Sequence, residues 1–88
     1  MLVDSHCHLD FPDFADELDS VVARAGEAGV GTMVTICTKV REFERVLAVA
    51  ERFENVWCSV GLHPHEAEAE PDLTTARLVE LASHPKVV

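Results

Sequence analysis

Basic residues are scarce in this chain: 7 lysines and arginines stand against 16 acidic residues over 88 positions, a formal net charge of -9. That balance excludes a binding mode built on a broad basic groove for nucleic acid, and a phosphate-bearing ligand would depend on a metal ion or a few local cations. Long apolar runs are missing too. No stretch approaches the ~20 residues of a membrane span, and the N-terminus lacks the basic region and apolar core of a secretory signal, so no membrane association and a cytoplasmic location are expected. Cysteine is limited to Cys7, Cys37 and Cys58, an odd number with no CxxC spacing, which speaks against a disulfide framework or a zinc ribbon. Cys37 and Cys58 read as small apolar residues buried in strands. Hairpin turn signals, low-complexity tracts and domain linkers are also absent. Length is short as well, well below the roughly 250 residues of a closed barrel of eight βα units.

What is present is a soluble globular composition, 48% hydrophobic and 26% charged, enough for one core and a wet surface. After a short apolar entry, Phe14, Leu18, Val21, Val22 and Ala25 recur at helical spacing behind Pro12, and predict a helix over 13–28. The β-branched apolar run 32–37 predicts a strand buried on both faces. Val40, Phe43, Val46, Leu47, Ala50 and Phe53 mark a second helix over 40–53, with a mixed-sign charged face opposite. A third strand follows at 56–60, then a loop to Glu70 and a helix begun at Pro71. Ser83-His84-Pro85 breaks that helix, and His84 reads as having no chemistry. Lys86 to Val88 looks like the opening of a fourth strand. The order βαβαβα, then a truncated β, predicts a parallel α/β fold with right-handed crossovers.

Two histidine clusters carry the chemistry. In an extended strand Asp4, His6 and His8 share one side, with Ser5 and Cys7 on the other, so two imidazoles converge. Neutral imidazole ligates first-row divalent ions, and Asp4 or Asp10 could orient a ligand ring or bind the metal itself. A bare HxH is weak evidence, because two incidental loop histidines look the same. The second cluster, Gly61-Leu62-His63-Pro64-His65, follows the third strand. Strand C-termini of a parallel sheet share one edge, so this loop should meet the first pair there. His63 could contact a phosphate or act near a metal-bound water, with His65 beside it. Thr38 and Lys39, at the end of the second strand, offer a hydroxyl and a cation to a phosphate oxygen, although a helix N-cap explains Thr38 equally well. Trp57 reads as a packing residue.

The stretch Leu2-Val3-Asp4-Ser5-His6-Cys7-His8-Leu9-Asp10, taken with Gly61-Leu62-His63-Pro64-His65, resembles the N-terminal part of TatD-type metal-dependent deoxyribonucleases. The likeness covers essentially the whole chain. That family is a branch of the amidohydrolase-like TIM barrels whose members bind one or two divalent ions and cleave phosphodiester bonds in DNA, commonly from the 3′ end. The resemblance implies that His6 and His8 are metal ligands on the first strand, that His63 lies near the substrate phosphate as a catalytic residue, and that Mg, Mn or Zn serves as cofactor. Asp4, Asp10, Thr38, Lys39 and His65 then stand as substrate-binding or supporting residues.

Family members carry a bridging glutamate on the fourth strand, further histidines on the fifth and sixth, and an aspartate on the eighth. All lie beyond Val88. The expected unit is therefore residues 1–88 as a single N-terminal fragment, about three βα units of a barrel, and inactive in isolation because half of the ligand shell is missing. DNA or another phosphodiester would be the partner of the complete enzyme, and the unpaired sheet edges of the isolated chain invite self-association. Two alternatives stand beside this reading. One is a phosphoesterase of the polymerase and histidinol phosphatase type, which also opens with HxH after a short strand. The other is a non-catalytic chain that binds metal weakly or only self-associates.

Overall fold

The computed structural model describes residues 1–88 as three strands alternating with three α-helices: β1 (Leu2–Cys7), α1 (Leu18–Glu27), β2 (Val30–Thr35), α2 (Phe43–Arg52), β3 (Val56–Cys58) and α3 (Thr75–Ala82). The sheet order is β1-β2-β3 and both pairings are parallel. Each crossover therefore passes through a helix, as the alternating periodicity implies. The fourth strand announced by Lys86 to Val88 exists as one parallel bridge between Cys58 and Val87, held by Cys58 N–H to Lys86 O and Val88 N–H to Cys58 O, both 2.9 Å.

Several boundaries differ from expectation for local reasons. Residues 12–14 form a 3-10 turn, and α1 begins only at Leu18. No side chain caps the earlier start, and Phe14, Ala15 and Glu17 bond back to Phe11, Pro12 and Phe14, the i to i+3 pattern that a tight proline-led turn favours. At the other end Gly29 adopts φ +95°, the left-handed conformation that closes a helix. Its carbonyl then accepts Leu2 N–H at 2.7 Å, which seats β1. The last helix starts at Thr75 rather than at Pro71, because Thr74 Oγ1 accepts Arg77 N–H and caps it.

The core is a cluster in which α1 contributes Leu18 and Val22, α2 contributes Phe43, Val46, Val49 and Ala50, and the sheet contributes Met33, Val56 and Cys58. Helices cover one sheet face. Along β2 the pattern alternates, with Met33 and Thr35 buried and Val34 only half-buried, so burial on both faces, expected from the apolar run, is corrected to burial on one. β1 remains open, with Leu2 65% and Val3 60% exposed. Lys86 fastens the sheet to α2: its Nζ donates to Phe53 O and Glu54 O at 3.0 and 3.2 Å. There it meets the negative end of the helix. The same ammonium sits 4.5 Å from the Trp57 ring centroid, which gives the indole a cationic partner besides its packing.

Candidate metal and phosphate site

The exits of the three strands surround one cavity of about 280 Å³, lined by His6, His8, Phe11, Ile36, Thr38, His63, His65 and Glu66. His6 and His8 come from the end of β1, Ile36 and Thr38 follow β2, and the other histidines follow β3. The tie between the last two loops is direct, because His63 N–H donates to Thr38 O at 2.9 Å. A larger cleft of about 350 Å³ lies elsewhere, between Val40 and Arg77, and contains none of the candidate site residues.

At β1 the two imidazoles stand edge to face with centroids 5.3 Å apart, and Phe11 stacks on His8 at 4.6 Å. The His8 ring is thereby held on two sides. Its Nδ1 is buried and has no hydrogen-bond partner, a state that costs roughly 1–3 kcal/mol and that an arriving metal ion or a rotated carboxylate would relieve. Asp10 shows the complementary feature: its side chain is 5% exposed and reaches Arg45 at 3.5 Å through Oδ2, while Oδ1 is buried and unpaired. The donor set thus fits a divalent ion in part. No third His, Cys, Asp or Glu joins the pair in a metal-holding group, so this chain offers half of a tetrahedral shell.

Asp4 does not share the cavity. Pairing along β1 runs Asp4 with Met33 and then Cys7 with Thr35, three residues against two. That irregularity places one extra residue of β1 between Asp4 and Cys7, so strict two-residue alternation does not hold across this stretch. The Asp4 carboxylate instead accepts His6 N–H at 3.1 Å, bracing the backbone. Lys39 also stands outside the lining, but its Nζ lies 3.9 Å from Glu66 Oε2 at the cavity wall. Thr38 lines the cavity and caps nothing. That role falls to Glu70, whose two oxygens accept Val40 N–H and Arg41 N–H at 2.9 Å each.

Glu66, Thr35 and Glu70 escaped the reading of the chain. Glu66 adjoins His65 and could have been flagged by adjacency, whereas Thr35 and Glu70 act across 26 and about 30 positions and leave no local signal. The three thiols are half-buried at Cys7 and buried at Cys37 and Cys58. Burial, reinforced by the Asp4 and Asp10 carboxylates, pushes the Cys7 thiol up to about 11, and burial raises Cys58 to about 11 and lifts Cys37 as well. Cys7, between His6 and His8 in the chain, donates its thiol to Val34 O at 3.4 Å.

A parallel βα sheet with paired imidazoles at its carboxyl edge is an α/β unit that gathers candidate ligands at its strand exits. The chain belongs to the TatD related DNase family, whose model matches residues 3–88. It is 38% identical over 76 residues to an uncharacterised metal-dependent hydrolase, YjjV, of Escherichia coli K12, covering 86% of this chain and 29% of that protein. Identity is 37% to the 3′-5′ ssDNA/RNA exonuclease TatD of Cronobacter turicensis, covering 99% of this chain and 33% of the relative. An uncharacterised metal-dependent hydrolase TatD of Mycobacterium tuberculosis is 39% identical, with 99% and 34% covered. The crystal structure of E. coli YjjV, a TatD homologue, superposes with a TM-score of 0.74 at 35% identity, covering 91% of this chain and 29% of that one. The barrel class of the fold follows from that superposition. The chain spans about a third of the length of the curated relatives it matches.

Proposed function

We propose that this chain is the N-terminal third of a metal-dependent deoxyribonuclease that hydrolyses phosphodiester bonds with metal-activated water. The observation that carries the reading is the convergence of His6 and His8 from β1 with His63 and His65 from the β3 exit on one cavity. A divalent ion, Mg, Mn or Zn, held there would supply Lewis-acid activation of water and neutralise charge on the phosphoryl group. His6 and His8 are its ligands from this chain, with Asp10 as the carboxylate that steadies His8. Thr38 and His63, which line the cavity, face the substrate phosphate, Lys39 stands at the wall beside Glu66 within reach of an incoming strand, and His65 closes the loop. Cations are few in this acidic chain, so Lys39 and the ion carry the attraction for a polyanionic strand. The remaining ligands come from beyond Val88, the isolated chain is inactive, and the complete protein works in the cytoplasm.

The test uses the full-length protein. It should degrade single-stranded DNA with added Mg²⁺ or Mn²⁺, and the double replacement His6→Ala, His8→Ala should abolish this while leaving its circular dichroism unchanged. Undiminished nuclease activity in the double variant, or hydrolysis of small phosphomonoesters with none of DNA, overturns the assignment.

A further inference from the structure

The chain contains two His-Pro-X turns, His63-Pro64-His65 and His84-Pro85-Lys86. In both, the imidazole folds back so that Nδ1 accepts the backbone N–H two residues on: His65 N–H to His63 Nδ1 at 3.1 Å, and Lys86 N–H to His84 Nδ1 at 3.1 Å. The proline between fixes φ and donates nothing, so the following amide is the nearest donor. The arrangement is the histidine counterpart of an Asx turn. Its recurrence at His84, which faces Glu51 rather than the cavity, makes it a property of the local sequence.

A ring nitrogen that accepts a hydrogen bond carries no hydrogen, and a neutral imidazole must then carry its proton on the other nitrogen. His63 lines the cavity with Nδ1 spent on the chain's own backbone. His8 differs, since its Nδ1 is buried without any partner. Resting on the function proposed above, we infer that His63 is a fixed Nε2–H donor to a non-bridging phosphate oxygen of the substrate, and neither a metal ligand nor a general base. The turn selects the tautomer, and the residue that selects it is His65 through its backbone, not its ring. No proton leaves His63 in this role. It adds one aimed donor where negative charge must be held in a chain short of cations.

Two replacements separate the donor from the turn. His63→Asn puts a carbonyl oxygen where Nδ1 stands, so it can accept His65 N–H, but it presents nothing at the Nε2 position. His63→Gln places an amide N–H near the Nε2 position and gives up the turn's acceptor. In the metal-loaded full-length enzyme, kcat on single-stranded DNA should fall about 10²-fold for Asn, the size of one lost oxyanion donor, while Gln restores at least tenfold of that, about 1.4 kcal/mol. The opposite ranking means that His63 only shapes the loop, and overturns the inference. Long-range ¹H–¹⁵N correlation on the histidine-labelled, metal-free protein reads the tautomer directly and needs no activity. The Nε2–H form is expected for His63, with its resonance displaced on adding inorganic phosphate, and His65→Ala should leave the tautomer unchanged. An Nδ1–H form, or no displacement, refutes the donor role, whereas absence of nuclease activity in wild-type protein with the expected spectra refutes only the underlying functional reading.

Discussion

Replacing Thr35 with valine tests how the fold holds the histidine-bearing end of β1 in place. Thr35 is wholly buried, and its Oγ1 accepts Leu9 N–H at 3.1 Å, immediately after His8. Valine keeps the shape and removes the acceptor, which leaves Leu9, itself 5% exposed, with a buried unpaired amide. That costs roughly 1–3 kcal/mol. The hydroxyl-to-methyl exchange returns somewhat less than 1 kcal/mol of apolar burial, so a net loss of about 1–2 kcal/mol is expected, a factor of roughly 5–30 in the folding equilibrium. Thr35→Ser retains the oxygen and deletes a buried methyl, with an expected cost of about 0.5–1.5 kcal/mol from packing. Stability alone cannot rank the two securely, so the discriminating assay is amide hydrogen exchange at Leu9. Protection there should fall in the valine variant and survive in the serine variant. A valine variant within about 0.5 kcal/mol of wild type, with Leu9 still protected, refutes the assignment of Thr35 as the anchor of the His8 loop.

Glu70→Ala removes the acceptor of two N–H groups at the start of the 40–42 turn, and because the carboxylate is half-exposed the expected loss is about 1–2 kcal/mol in urea denaturation, with Glu70→Gln losing less. Unchanged midpoints for both variants would show that the contact adds nothing. Raised thiol values for Cys7 and Cys58, about 11 each, mean that the folded chain holds those protons more tightly than the unfolded chain does. Their contribution to stability is therefore complete below the ordinary thiol value of 9.0 and is lost as pH climbs toward about 11. Melting temperature should decline over that window, less steeply in Cys58→Ala relative to its own neutral-pH value, and iodoacetamide at neutral pH should label the folded protein far more slowly than the unfolded one. Rapid labelling of the native protein contradicts the burial argument.

Helix-forming stripes were the most legible feature. The apolar spacing from Val40 to Phe53 anticipated α2 and its end to within one residue, with Val40–Glu42 forming a 3-10 turn before the α-helix, since amphipathic periodicity is written locally and needs no partner to be read. Helix starts were less legible. A proline suggested a beginning at 12 and again at 71, yet α1 waits for Leu18 and α3 for Thr75, because the competing 3-10 bonds and the Thr74 cap act at the scale of single hydrogen bonds. Strand parity was less legible for a related reason: one extra residue of β1 between Asp4 and Cys7 breaks the simple alternation, Asp4 lies outside the cavity that His6 and His8 line, and a bulge has no reliable mark in one sequence.

By itself the order of residues determined that the chain alternates strands and helices, that the strands run parallel, and that imidazoles sit at the exits of the first and third. It also determined the turn at His63-Pro64-His65, in which His63 Nδ1 accepts His65 N–H, because a His-Pro-X turn is built from neighbours. Tertiary structure alone decided which polar groups those exits rely on. Thr35 beneath Leu9, Glu70 across the start of α2, and Lys86 on the end of α2 are contacts between residues 26 to 33 positions apart. Contacts of that separation exist only once the sheet has assembled, and no periodicity along the chain encodes them.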